Sequence, residues 1–239
     1  MIRSYINLTK IDAISFDLDD TLYDNTPIIL KAESELERFL HHAYPLTIKL
    51  KRTDWLTLKR NLLKVRPELC HDTGLARVAM LTQGLCQLGY SIKEAEAGGH
   101  KGLHCFLAHR SGFTVSKPVL ILLEALAQKY TLIGITNGNV DAERIGLGSL
   151  FDFVLSPGEG VRMKPAPDMF NMAMERLNIS PESLLHVGDS HSSDVMGARL
   201  AGCQSIWLTP GFGSTEAGVA KGSLPHLEIS SIEDLKFLI

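Results

Sequence analysis

Cysteine is scarce in this chain: four residues in 239, at Cys70, Cys86, Cys105 and Cys203, with no CxxC pair. That excludes a disulfide scaffold and a cysteine-based zinc site, and it fits reduced thiols. A surplus of positive charge is also lacking, with 24 Lys and Arg against 27 Asp and Glu. A dedicated nucleic-acid binder carries such a surplus, so nucleic acid is not an expected partner. No run approaches the roughly 18–20 apolar residues of a membrane span. The opening MIRSYINLTK has no apolar stretch of the kind a secretory signal needs, so the expected location is the cytoplasm. Repeats and low-complexity segments are missing as well. What is present is a chain 45% hydrophobic and 21% charged. It can bury a real core, which excludes a disordered or fibrous protein. Its length suits one domain of about 150 residues with an insertion, or two small domains.

The two parts of the chain differ in texture. Residues 12–19, DAISFDLD, form a short β-type run that ends in carboxylates. From Asp24 to Gly112 the pattern is helical, as in PIILKAESELERFLHHA and DTGLARVAMLTQGLCQLGY, with apolar residues three and four apart. Pro45, Pro67, Gly89-Tyr90 and Gly98-Gly99 are expected to divide it into about four helices. From Lys117 onward helices alternate with short Val/Ile/Leu-rich strands: VLILLEALAQ, YTLIGITN, VDAERIG, FDFVLS, DMFNMAMERLN, LLHVGD, SSDVMGARLAG, QSIWLT and a closing LEISSIEDLKFLI. Such strands are covered on both faces, and alternating βα units imply right-handed crossovers. The expected fold is α/β: a doubly wound, Rossmann-like parallel sheet built from residues 1–23 and 113–239, with residues 24–112 inserted as an all-helical cap. PGFGSTEAGVAKGSLP, residues 210–225, reads as a surface loop.

Ligands of open α/β sheets lie beyond the carboxyl ends of the strands. There the first core strand ends Phe16-Asp17-Leu18-Asp19-Asp20-Thr21, another ends Ile135-Thr136-Asn137-Gly138, and a third ends His186-Val187-Gly188-Asp189, followed by Asp194. Between them lies Arg162-Met163-Lys164-Pro165. Neighbouring buried acids cost several kcal/mol unless a cation or proton compensates. Four carboxylates, Asp17, Asp19, Asp189 and Asp194, face one lysine, Lys164, and a phosphate monoester would add more negative charge. Such a site calls for a divalent cation, and oxygen donors without His or Cys favour Mg²⁺ over Zn²⁺. The expected metal ligands are Asp17, Asp19 (through its backbone carbonyl) and Asp189. Asp17 is placed to attack phosphorus. Asp19 can protonate the leaving alcohol and later deprotonate water. Thr136 and the backbone N–H groups that follow it, at Asn137 and Gly138, can hold phosphoryl oxygens, Lys164 can neutralise their charge, and Asp194 orients Lys164 or a metal-bound water.

These motifs, DLDDT, then TN, a lone Lys and GDxxxxD, resemble those of the haloacid dehalogenase-like hydrolases, in order and across the whole core. The resemblance implies that family's Rossmann-like core, a small helical cap, and hydrolysis through an aspartyl-phosphate. FDLDDTLYDN, GITNGN, GLGSLFDFVLSPGEGVRMKP, LHVGD and LPHLEIS resemble most the family's bacterial flavin mononucleotide phosphatases. That implies FMN and the phosphorylated ribitylaminouracil of riboflavin biosynthesis as substrates. Nucleotidase, sugar phosphatase, phosphomutase and dehalogenase activity, or a binding module with a spent site, are the alternatives. A monomer or weak dimer is expected.

Other features have plainer readings. His100 and His104 share a helix face, but no further ligand is evident, so packing is expected there. The five basic residues of KLKRTDWLTLKR (49–60) read as a solvated helix face, with Trp55 on its buried side. Gly211-Phe212-Gly213 is too short to mark a phosphate loop. Tyr23, Asp24 and Asn25 stand where cap joins core, either lining a substrate entrance or shaping a hinge.

Overall fold

The structure is a computed structural model that describes residues 1–213 and 222–239. Residues 214–221 of the loop expected over 210–225 lie outside these described residues. The chain divides into two compact units. One comprises Met1–Thr26, Phe113–Gly138 and Ala142–Ile239, the other Pro27–Gly112 and Asn139–Asp141.

The helical unit is formed by α1 (Thr26–Ala43), α2 (Arg52–Val65), α3 (Thr73–Gln87) and α4 (Ile92–Arg110). The prolines act as expected: Pro45 and Pro67 each open a short 3₁₀ turn between helices. Asp72 caps α3 by accepting from the Leu75 amide at 2.8 Å, and Ser91 with Glu94 forms a capping box at the start of α4. The core of this unit gathers Leu36, Leu40, Leu58, Leu81, Leu85 and Phe106, with Trp55 packed against it.

Gly98-Gly99 behaves differently from the expectation. It does not interrupt the helix; both residues lie inside α4, where Ala95, Gly98, Gly99 and Gly102 form one buried small-residue face. A Cβ on Gly99 would stand 2.9 Å from the carbonyl oxygen of Val78 in α3. The glycines are there so that two helix backbones can approach. Gly99→Val is therefore expected to destabilise the helical unit by about 1–3 kcal/mol through overpacking, since the gain in helix propensity is only a few tenths. Denaturant unfolding followed by tryptophan fluorescence in a Trp207→Phe background, which leaves Trp55 as the reporter, checks this, and a stabilised variant would rule out the close approach.

The second unit holds a seven-stranded sheet: β1 (Ile2–Ser4), β2 (Ala13–Phe16), β3 (Thr131–Ile135), β4 (Val154–Leu155), β5 (Leu184–Gly188), β6 (Gln204–Leu208) and β7 (Leu227–Ile229). The spatial order is β1-β7-β6-β5-β2-β3-β4. All pairs are parallel except β1 with β7. Strands β2, β5 and β6 are buried at every position, as strands covered on both faces should be. Helices α5 (Lys117–Ala127), α6 (Asp168–Leu177) and α7 (Met196–Leu200) complete the unit. Met169, Phe170 and Ala173 of α6 and Ala198 of α7 pack with Ala13, Ile133, Ile135 and Leu184 of the sheet.

Two elements depart from the sequence expectation. VDAERIG is a turn, not a helix. The Leu147 amide bonds the Ala142 carbonyl and Gly146 adopts φ +91°, which ends the turn before a helix can propagate. The edge strand β1 is not legible in the sequence, because its three residues are all exposed and show no alternation. Among the described residues, no helix is long and apolar enough to cross a membrane.

Candidate active site

The sheet brings the motif residues together at its carboxyl edge. The Asp17 amide continues the ladder beyond β2 by bonding Val187 O at 2.8 Å, and the Thr136 amide does so beyond β3 with Leu155 O at 3.0 Å. Asp189 follows β5 directly. Asp17, Thr136 and Asp189 therefore leave adjacent parallel strands at one level. Asp194 reaches the same place through a π-helical turn, His191–Val195, in which the Asp194 amide bonds Ser190 O at 2.7 Å.

Lys164 sits at the centre of the charge arrangement and is 3% exposed. Its Nζ lies 2.7 Å from Asp17 Oδ1 and 2.7 Å from Asp194 Oδ1, and it also donates to the Ile135 carbonyl. Asn137 fixes the backbone of this lysine. Its Nδ2 donates to Lys164 O at 3.0 Å, and its Oδ1 accepts from the Lys164 amide at 2.8 Å. The Asn137 side chain is thus engaged in holding Lys164, and its backbone amide is the group expected to meet a phosphoryl oxygen. Thr136 Oγ1 accepts from the Gly138 amide at 3.0 Å, which shapes the turn after β3.

Asp17, Asp189 and Asp194 each present a carboxylate oxygen within 4.8 Å of the others; no other such group occurs among the described residues. The Asp19 carboxylate is not one of the three. Its Oδ1 accepts from the Tyr23 phenol at 2.6 Å. His100 and His104 are exposed on α4 and belong to no such group.

The electrostatics follow from burial. Desolvation pushes the Asp17 carboxyl well above the ordinary range, although Lys164 pulls it back. Burial, reinforced by the Asp194 charge, raises Asp189 to about 7. Burial also opposes ionisation of Asp194, but Lys164 and His186 overcome it and hold that carboxyl far below its usual value. For Lys164 desolvation works against the charge, and Asp17 with Asp194 outweighs it, so the ammonium is held above the ordinary lysine range. One lysine satisfies one buried acid, and the remaining carboxylates are left short of positive charge. Oxygen donors alone and an excess of negative charge fit a hard divalent cation.

Several participants escape sequence reasoning. Thr21 Oγ1 donates to Asp189 Oδ1 at 3.1 Å and accepts from the Asp189 amide, so the threonine of DLDDT orients the acid of the other motif. Trp207 Nε1 donates to Asp189 O at 2.8 Å. The Gly211-Phe212 stretch, too short in sequence to signal a phosphate loop, packs against the first motif: the Phe212 amide bonds Asp20 O at 2.7 Å. A Cβ on Gly211 would stand 2.7 Å from that of Asp189, so only glycine fits there. His186 is a further buried partner of Asp194. The sequence does carry a signal for it: a histidine in the middle of an otherwise apolar, fully buried strand.

The aromatic residues Trp55, Tyr90 and Phe106 all pack with the helical unit's own core. Tyr90 stands edge-on to Tyr44, and the Arg77 guanidinium lies 3.5 Å over the Phe106 ring.

Comparison with known proteins agrees with the site. Residues 11–202 match the model of the haloacid dehalogenase-like hydrolases. The 5-amino-6-(5-phospho-D-ribitylamino)uracil phosphatase YigB of Escherichia coli (strain K12) is 39% identical, over 99% of this chain and 100% of its own. The glyceraldehyde 3-phosphate phosphatase of Pyrococcus furiosus is 29% identical, over 85% of this chain and 83% of its own. A crystal structure described as a 2-haloacid dehalogenase from Pseudomonas syringae pv. Tomato DC3000 superposes with a TM-score of 0.89 at 32% identity, covering 95% of this chain and 97% of that one. With the family model spanning all four motif segments and relatives matched over 87% or more of this chain that are phosphatases, this chain belongs to the haloacid dehalogenase-like hydrolases and is a phosphoric monoester hydrolase.

Proposed function

We propose that the protein is a Mg²⁺-dependent phosphatase that works through an aspartyl-phosphate and acts on FMN and on the phosphorylated ribitylaminouracil of riboflavin biosynthesis. The observation that carries the chemistry is Asp17 at the end of β2, buried, held 2.7 Å from Lys164 and grouped with Asp189. Asp17 is the nucleophile. Asp19, two residues on, gives a proton to the leaving alkoxide and takes one from water in the second step. Lys164 holds positive charge beside the equatorial phosphoryl oxygens, and the turn at Thr136-Asn137-Gly138 offers polar groups to them. Asp17, the Asp19 backbone carbonyl and Asp189 would hold Mg²⁺. When bound, the ion supplies charge stabilisation at the phosphoryl oxygens.

Halide displacement, the activity in the name of the Pseudomonas neighbour, would use the same nucleophile. It needs no proton for its leaving group and gives no work to Asp189, so the acid set favours the phosphatase. The substrate assignment is supported by the E. coli relative, whose match runs through the helical unit as well as the sheet. The sheet-edge residues grip only the phosphoryl group, which every ester shares. Selectivity must come from binding the rest of the molecule. About 100 Å² of extra ring burial gives roughly 2–3 kcal/mol, or about fifty-fold if realised in the transition state. Steady-state kcat/KM for FMN, UMP, AMP and a sugar phosphate, with Mg²⁺ and with EDTA, tests the proposal. FMN is expected to lead and EDTA to abolish turnover. If UMP or the sugar phosphate exceeds FMN tenfold, the flavin assignment falls and a pyrimidine nucleotidase or sugar phosphatase remains.

A further inference from the structure

His186 occupies an interior position of β5, next to Leu185 and Val187, and is 0% exposed. Its register partner on the neighbouring strand β2 is Ser15, also 0% exposed. Both strands are otherwise apolar at these levels, and an imidazole and a hydroxyl are costly to bury without bonds. The two bond each other, Ser15 Oγ to His186 Nδ1 at 2.9 Å, and His186 Nε2 lies 3.3 Å from Asp194 Oδ1. The Phe170 ring packs perpendicular to the imidazole, with centroids 5.0 Å apart at 89°.

For a neutral ring, one proton arrangement satisfies this chain. A carboxylate accepts and never donates, so His186 Nε2 must carry the proton. Nδ1 is then a lone pair, and the Ser15 hydroxyl donates to it. Burial, with the Lys164 charge nearby, drops the His186 pKa to about 4, in keeping with a neutral ring. Asp194 is thereby held from every side. Oδ1 accepts from His186 and Lys164, and Oδ2 accepts from the Ser190 amide at 2.8 Å. A carboxylate so engaged cannot rotate, and it fixes where the Lys164 ammonium stands.

We infer that His186 is a positioning residue for hydrolysis: backed by its hydrogen bond to Ser15, it locks the Asp194 carboxylate onto Lys164 and so keeps the lysine's charge aligned beside Asp17. The inference rests on the proposed role of Lys164. Outer partners that orient metal ligands are worth about 10–100-fold, and a partner that fixes the lysine's carboxylate is expected to act on the same scale. His186→Leu removes the donor, and kcat/KM for p-nitrophenyl phosphate should fall about 10–100-fold, with inhibition by inorganic phosphate weakened in parallel. His186→Gln keeps an N–H donor and should recover most of the loss.

A purely structural histidine would lower activity equally in any background. The inference instead expects no further loss, within about twofold, when His186→Leu is added to Lys164→Met. Lys164→Met alone reports on the underlying reading, and a loss below tenfold there overturns that reading. A large loss in Lys164→Met that multiplies with a full loss from His186→Leu overturns the His186 inference alone. Should the variants not fold, ¹⁵N NMR of the unmodified protein decides. A proton on Nε2, hydrogen-bonded to Asp194, is expected, and an Nε2 without a proton overturns the inference.

Discussion

Asp17→Asn is expected to leave a folded protein whose turnover is reduced by roughly 10⁴–10⁶-fold, the scale seen when a covalent nucleophile is removed. The amide keeps the carboxylate's shape but cannot attack phosphorus. The fold should tolerate the change for an electrostatic reason. Burial and the charges of Asp194 and Asp19 all oppose ionisation of Asp17, and only Lys164 favours it. Removing the charge therefore relieves repulsion at the sheet edge. Lys164 keeps its 2.7 Å partner in Asp194, so no buried cation is orphaned. The thermal midpoint should stay level or rise while activity vanishes. Single-turnover measurements with p-nitrophenyl phosphate, beside a melting curve, check both halves. Activity within tenfold of the unmodified enzyme would remove Asp17 from the nucleophile's role.

The motif acids are legible in the sequence because each must follow a short apolar strand, and strand ends are visible in the residue pattern. Asp17, Asp189 and Thr136 stand at such ends, and Lys164 and Asp194 follow the same logic one loop away. What is not legible is how the loops spend their polar groups. Asn137 reads as a backbone donor to phosphate, and nothing in the sequence shows that its side-chain amide is committed to the Lys164 backbone. Tyr23 reads as an entrance or hinge residue, and the sequence does not show that its phenol donates to Asp19. Both bonds depend on loop geometry that no periodicity encodes. The fold divides in the same way. Long apolar helices and fully buried strands declare themselves, whereas β1 has three exposed residues and depends wholly on β7 for its pairing. Gly98-Gly99 shows the opposite error: a breaker signal in isolation becomes an asset where a second helix lies within backbone distance.

Asp189 is the carboxylate for which, on the proposed reading, Mg²⁺ competes with a proton. Burial and the Asp194 charge raise its carboxyl to about 7, against the opposing pull of the Thr21 hydroxyl, which donates to it. Below that pH the group is protonated in the metal-free protein, and a cation binding there has to displace the proton. Above it the carboxylate is already free. The sign follows: the Mg²⁺ concentration for half activity should be level above about pH 8. It should then rise by about tenfold for each unit below 7, more steeply if Asp17 gives up a proton too. Asp189→Ala removes the ligand, and half activity should require roughly 100-fold more Mg²⁺ or more, because even outer partners of metal ligands are worth about 10–100-fold. The variant should also lose the one-proton part of the pH dependence. Its stability should not suffer, since an acid whose ionisation is disfavoured by folding contributes nothing to the fold through its charge. Magnesium titrations of both proteins at pH 6, 7 and 8, each read as initial rate, test the assignment. A half-activation concentration that is flat from pH 6 to 8 in the unmodified enzyme, or unchanged in Asp189→Ala, would place the metal elsewhere.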